Sequence, residues 1–297
     1  MASGSCARRS RRIPSRRTRC AKRCGSCFRT SPSRSSRRAT APPRTSSASP
    51  RTTCAASRST DLRGGSRSSA FRWRPSLRDR PGLPRRALAE LVAAFVLIFF
   101  VGGGAAEAAS GHADLGLPAQ AAVSGLAIMG LVYAVGHLSG AHINPAVTIA
   151  FTITRHFPRR EALTYIGAQL TGAALGGLLL LAAWPDKPGH LGANVASVST
   201  RTALLYEVVL TALLMFVIVA VATDTRAVGA AAAIAIGGVV VLDILIGGGV
   251  SGASMNPARS FGPALASGTW THFWIYVVGP VTGATIGGLT YQFIRER

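Results

Sequence analysis

Two copies of Asn-Pro-Ala, residues 144–146 and 256–258, stand in otherwise apolar sequence. The chemistry they offer is not that of a reaction centre. A carboxamide can cap a helix with its oxygen and donate to a passing oxygen with its nitrogen. Proline fits the first helical turn, where its missing N–H costs nothing. Each triplet precedes a short apolar stretch, 146–154 and 258–266, too short to cross a bilayer. These stretches are predicted as half-helices that start near the bilayer centre and run outward. Two helix N-termini facing one point place roughly half a positive charge each there. Cations and protons are repelled, whereas a neutral solute can hydrogen-bond to Asn144 and Asn256. Arg259, directly after the second triplet, adds a full charge and several donors. An arginine in an apolar segment is costly and therefore a functional candidate. The apolar part of the chain holds no nucleophile–base pair and no metal-ligand set, so an enzyme is not expected, nor a metal or other cofactor.

Irregular backbone at membrane depth must line a cavity or be buried in protein. Its N–H groups need acceptors, and Glu90 and Glu207, early in the first and fourth spans, are placed to accept them. A proton-relay role is the alternative for these two acids.

The elements that must hold these loops are six apolar stretches near 87–109, 120–138, 160–183, 202–223, 228–249 and 271–294. Each approaches the roughly 20 residues a bilayer-spanning helix needs. The sequence also repeats. Ser139–Ala146 matches Ser251–Ala258 at an offset of 112, and Thr171–Leu178 matches Thr282–Leu289 at 111, with six identities in eight each time. Three spans per half force the second half to enter from the opposite side, so the repeats are inverted and the two loops meet from opposite faces. Gly172-x-x-x-Gly176 and Gly283-x-x-x-Gly287 suit close helix packing. The expected fold is an all-α membrane protein of six transmembrane helices plus two re-entrant half-helices, an inverted 3+3 repeat. The expected division is a tail, 1–86, and a channel domain, 87–297, with repeats 87–184 and 201–294.

Charge separates the two parts. Of 33 Lys+Arg, 24 lie in residues 1–86 with only Asp61 and Asp79, so the tail carries the whole formal +22. The body is neutral, which removes the reading of a basic nucleic-acid-binding protein. The tail is rich in Arg, Ser and Pro without an apolar face, and is expected to be disordered. Either it is a segment attracted to anionic lipid, or the start lies too far upstream. All five Cys fall there, and Cys20-x-x-x-Cys24-x-x-Cys27 reads as incidental. Basic residues in the second and fourth loops and at both ends put the N- and C-termini on the cytoplasmic side of a multi-pass cell-membrane protein.

Ser-Gly-Ala-His-Ile-Asn-Pro-Ala-Val (139–147) and Asn-Pro-Ala-Arg-Ser (256–260) resemble the aquaporins, also called major intrinsic proteins, and the resemblance runs over about 87–294. Ala222–Gly229 and Val250–Ser260 look like the nodulin-like intrinsic branch and its bacterial, aquaglyceroporin-type relatives. The resemblance implies homotetramers with one pore per subunit, passive conduction of water and small neutral solutes, and no cofactor. It places the outer constriction at Ser124, Ile244, Ala253 and Arg259. Water-selective members carry an aromatic first and His second, and Ser124 and Ile244 depart from both. Nodulin-like members usually have Trp, Ala or Gly first, so Ser124 departs there too. Small side chains with one greasy wall suit glycerol, urea, or boric or arsenous acid. A water-selective channel and an ion-coupled transporter are the alternatives. By the same resemblance, His137 and His142 brace the first loop or face the pore.

Overall fold

The computed structural model describes residues 81–224, 226–227 and 231–295. The expectations about the tail before residue 81, including its cysteines, lie outside the described residues. Eight helices follow in order: α1 Leu83–Ser110, α2 Leu117–Ser139, α3 Pro145–Ile153, α4 Arg159–Ala183, α5 Thr200–Thr223, α6 Ala232–Gly247, α7 Pro257–Ser267 and α8 Ile275–Arg295. No strand occurs among the described residues.

The helix ends follow from local chemistry. Pro at the first turn opens α1, α2, α3 and α7, and Ser199 caps α5 by accepting from Thr202 N–H. Gly111, Gly140 and Gly268 close α1, α2 and α7 in the left-handed region. The first helix begins at Leu83, four residues before the expected start, so Arg85 and Arg86 belong to it. The fifth span is shorter than expected: α6 has 16 residues, about 24 Å at 1.5 Å per residue. A run of glycines, Gly247–Gly249, ends it early.

Among the described residues α1, α2, α4 and α5 are long and apolar enough to cross a membrane. α6 is shorter, and α8 is diluted by Thr and Gln and by glycines, of which Gly279, Gly283, Gly287 and Gly288 pack inward. These two complete the set of six, with α3 and α7 as the half-helices. The first set is α1, α2 and α4 with α3; the second is its inverted copy, α5, α6 and α8 with α7.

Packing reproduces the repeat. α1 lies against α4, α5 against α8, and α2 against α6. At Gly172 a methyl would overlap the carbonyl oxygen of Leu91, and at Gly283 that of Val208. Glycine is required at both crossings because the neighbouring backbone occupies the space. Each half-helix also crosses to the other half's last or first helices, α3 to α8 and α7 to α4. The large aliphatics exposed on the outer faces, such as Leu88, Leu126, Leu205 and Leu242, are those a helix presents to lipid.

Candidate functional site: a channel through the helical body

The two loops share one backbone. Gly140 and Gly252, Ala141 and Ala253, and Ile143 and Met255 all have positive φ, at 96 and 88°, 47 and 42°, and 54 and 53°. Left-handed conformation at Ala, Ile and Met is strained and must be held by its surroundings. Glu90 does this in the first half. Its carboxylate accepts the N–H groups of His142 (3.0 Å) and Ile143 (2.6 Å), the Ser139 hydroxyl (2.6 Å) and the Gln169 amide (2.8 Å). Glu207 does the same in the second, accepting Ser251 Oγ–H (2.7 Å), Ser254 N–H (2.9 Å) and Met255 N–H (2.8 Å). Both acids are fully buried. With their oxygens committed to these donors, they serve as loop supports in this arrangement.

Two tyrosines complete the clamp. Tyr165 donates to Ser139 O and Tyr276 to Ser251 O, each at 2.9 Å. Sequence reasoning missed them, although they sit 111 residues apart, at the repeat offset. His142 braces the first loop: its ring Nδ1 lies 3.1 Å from Thr148 Oγ1, and the ring packs against Phe151, Phe157 and Tyr165. His137 does not. It is exposed in a vestibule, and no bond joins it to either loop among the described residues.

Asn144 and Asn256 cap α3 and α7 as their oxygens accept Ala146 N–H (2.9 Å) and Ala258 N–H (3.0 Å). Their nitrogens cross to the other loop, Asn144 Nδ2 donating to Met255 O at 2.8 Å and Asn256 Nδ2 to Ile143 O at 2.9 Å. One N–H of each carboxamide is thereby used and one remains. Pro145, Ala146, Pro257 and Ala258 are buried behind them and form the abutting first turns.

The two Asn side chains, Ser124, Ile244, Ala253 and Arg259 line one narrow cavity of about 80 Å³, otherwise walled by aliphatic side chains such as Leu97, Val132, Leu214 and Val240. It continues into a vestibule of about 250 Å³ with which it shares Ser124, Ile244 and Arg259. At its other end it shares Gly140, His142 and Phe151 with a vestibule of about 300 Å³. The Ser124 hydroxyl turns back to Gln120 O at 3.0 Å, so this corner is small and weakly polar.

Arg259 is held from the side by the α4–α5 loop. Its Nη1 donates to Gly192 O at 2.7 Å and to Asn194 Oδ1. Asn194 also accepts from Ser260 Oγ at 2.8 Å and donates to Gly252 O at 2.9 Å. The loop reaches inward through a left-handed turn, with Gly189, His190 and Leu191 at φ 51–55°. Nothing in the sequence marked Asn194, because that loop has no counterpart in the first half.

Among the described residues no carboxylate lines any of the three connected cavities, whereas Arg259, Arg86 and Arg155 do. A narrow path through a membrane-spanning helical body, apolar along its walls and furnished with donors at its centre, defines a channel for small neutral solutes.

A family model described as Major intrinsic protein matches residues 79–291, and the chain belongs to that family. It is similar to "Aquaporin NIP1-1" of Zea mays, 46% identical over 211 residues, covering 71% of this chain and 75% of that one. It is 41% identical to "Putative aquaporin NIP4-1" of Arabidopsis thaliana, covering 72% and 75%. Its fold is similar to the X-ray structure of the aquaglyceroporin from Plasmodium falciparum, with a TM-score of 0.63, 26% identity and coverage of 71% and 96%.

Proposed function

We propose that this channel passes water together with glycerol, urea or undissociated boric or arsenous acid, and that Ser124, Ile244, Ala253 and Arg259 decide which. The observation that carries this is the shape of the narrow cavity beside Arg259. Ser124 and Ala253 are small, the Ser124 hydroxyl is folded onto its own helix, and Ile244 supplies an apolar wall. A solute with hydroxyls on one side and carbon or a metalloid on the other meets donors from Arg259 and aliphatic contact elsewhere. The relatives' names, aquaporin and aquaglyceroporin, agree with water and glycerol.

Proton exclusion follows from the centre. Both Asn oxygens are consumed as caps, so the carboxamides offer only N–H to the lumen. An oxygen held between them accepts from both and turns its own hydrogens outward. A chain of waters then changes polarity at this point and cannot relay a proton. The two half-helix N-termini add positive potential.

The homotetramer and the cytoplasmic placement of both termini belong to the same proposal. The four basic segments at 155–160, 226, 295 and the N-terminus support the orientation. Stopped-flow measurements on proteoliposomes test the solute reading. Glycerol and boric acid should enter along with water, with no proton current, and Ser124→Phe with Ile244→His should suppress solute entry while retaining water. Water passage with both solutes excluded by the wild type would refute the wide filter.

A further inference from the structure

The mouth beside both ends of the described chain carries charge that conduction of neutral solutes does not use. Its vestibule, about 300 Å³, is lined by Arg86, His137, His142, Arg155, His156 and Thr223 among others, and by no acid among the described residues. The nearby acids are already occupied. Glu161 takes Arg86 in a two-pronged bond at 2.7 and 2.9 Å. Asp224, next to Thr223, takes Arg226 at 3.0 and 2.7 Å and Tyr291 at 3.0 Å. Arg295 reaches Thr223 at 2.7 Å and brings another cation to the rim. Among the described residues Arg155 makes no ion pair.

Arg155 is also in an unfavourable conformation. It follows Thr154, the C-terminal cap of α3, and lies in the left-handed region at φ 61°, whereas the left-handed residue at the end of α7 is Gly268 at φ 81°. Glycine adopts that region freely and arginine does not. A helix end often attracts a cation, but three of the last four carbonyls of α3 already accept backbone N–H groups. Thr154 N–H bonds to Ala150 O, Arg155 N–H to Thr152 O, and His156 and Phe157 N–H to Phe151 O. No hydrogen bond joins the Arg155 guanidinium to the end of α3 among the described residues. It stands exposed at the mouth of the pore.

We propose that this vestibule binds a small soluble phosphate-bearing anion, a phosphate monoester or inorganic phosphate, and that its occupancy closes the pore. The Arg155 guanidinium with the His137 ring, at a cavity that no carboxylate lines among the described residues, supplies directed donors for a tetrahedral anion. The vestibule shares Gly140, His142, Phe151 and Ala222 with the narrow path, so a bound anion lies across the route. Helices surround the site, which favours a soluble ligand over a lipid headgroup. A phosphotransfer that traps an entering hydroxyl-bearing solute as its phosphate ester would generate such a ligand. The proposal rests on the reading of the path as a conducting pore.

The test is glycerol flux in neutral-lipid proteoliposomes with inorganic phosphate, or chloride at equal osmolarity and ionic strength, on both sides. Flux in chloride above that of empty vesicles checks the pore itself. Phosphate should lower wild-type flux several-fold. Arg155→Gly, scored against its own flux in chloride, should lose most of that inhibition, and Arg155→Lys should keep it. Equal wild-type flux in the two salts, or equal inhibition of Arg155→Gly, would overturn the proposal. Vesicles doped with phosphatidic acid but lacking phosphate should conduct as in chloride; reduced flux there would move the site to lipid and overturn it in this form. Should Arg155→Gly not fold, binding of radiolabelled phosphate to the detergent-solubilised wild type decides. Saturable binding that chloride does not displace supports the site, and its absence refutes it.

Discussion

Replacing Asn194 by Ala tests whether the α4–α5 loop holds Arg259 in place. The substitution removes the acceptor for Arg259 and Ser260 and the donor to Gly252 O. A hydrogen bond to a charged group contributes about 1.5–3 kcal/mol net and a neutral one about 1 kcal/mol. The gross loss is about 3–5 kcal/mol. Arg259 and Gly252 border the vestibule, where water can replace part of it, and Ser260 keeps its contact with Ser254. A net loss of about 2 kcal/mol remains, which shifts the balance between held and released Arg259 by about 30-fold. Two readouts should move together: the unfolding temperature followed by tryptophan fluorescence, and the ratio of erythritol to glycerol entry in stopped flow. Asn194→Ala should lower the first and raise the second. Asn194→Asp keeps the acceptors but loses the donor to Gly252, so it should lower stability while preserving the solute ratio. If Asn194→Ala left both the unfolding temperature and the solute ratio at wild-type values, the loop would not be what positions Arg259.

Two further outcomes follow from acids away from the lumen. Asp243 is buried on α6 with Oδ2 unpaired, and such a group costs about 1–3 kcal/mol; the similarly sized, apolar Asp243→Leu should raise the unfolding temperature, and a fall would mean that the carboxyl has an unseen partner. The hydrogen bonds from the Arg226 side chain, with help from its backbone N–H and Tyr291, hold the Asp224 carboxyl well below the usual carboxylate range. A lowered folded value stabilises the protein above the unfolded value, about pH 4, and the stabilisation fades as pH falls through the folded value. Arg226→Ala should therefore unfold at a lower temperature than wild type at neutral pH, and the gap should close below about pH 4; a gap that is constant with pH would show that the pair contributes no linkage.

The parts of the site that were legible in the sequence are those written twice. The repeat offset exposed both Asn-Pro-Ala loops and their positions before half-helices, and an odd number of spans per half gave the inversion. Glu90 and Glu207 were readable because a buried irregular loop must find acceptors and they were the acids at hand. Tyr165 and Tyr276 obey the same offset, but nothing local distinguishes a clamping tyrosine from a packing one. Asn194 was illegible for a different reason: it occurs once, in a loop whose path depends on left-handed residues that include His190 and Leu191. The end of α6 was misjudged because apolar character continues past Gly247 while helical backbone does not. The resemblance implies that His137 and His142 both brace the loop or face the pore; Gly140 turns the chain between them, His142 packs in the clamp, and His137 lines the vestibule.

The reciprocal bonds between Asn144 and Met255 and between Asn256 and Ile143 carry a consequence for biosynthesis. Neither half can finish its own loop. When Asn144 emerges from the ribosome its acceptor is 111 residues away, about 6–22 s at 5–20 residues per second. Over that interval the first loop has Glu90 and Gln169 within its own half but no opposing loop, so its strained backbone is only partly secured. The first three spans must wait in the membrane as an incomplete unit. Late insertion of the second half is then a step of assembly, and a chain stalled between the two triplets leaves the Asn144 amide without its Met255 acceptor.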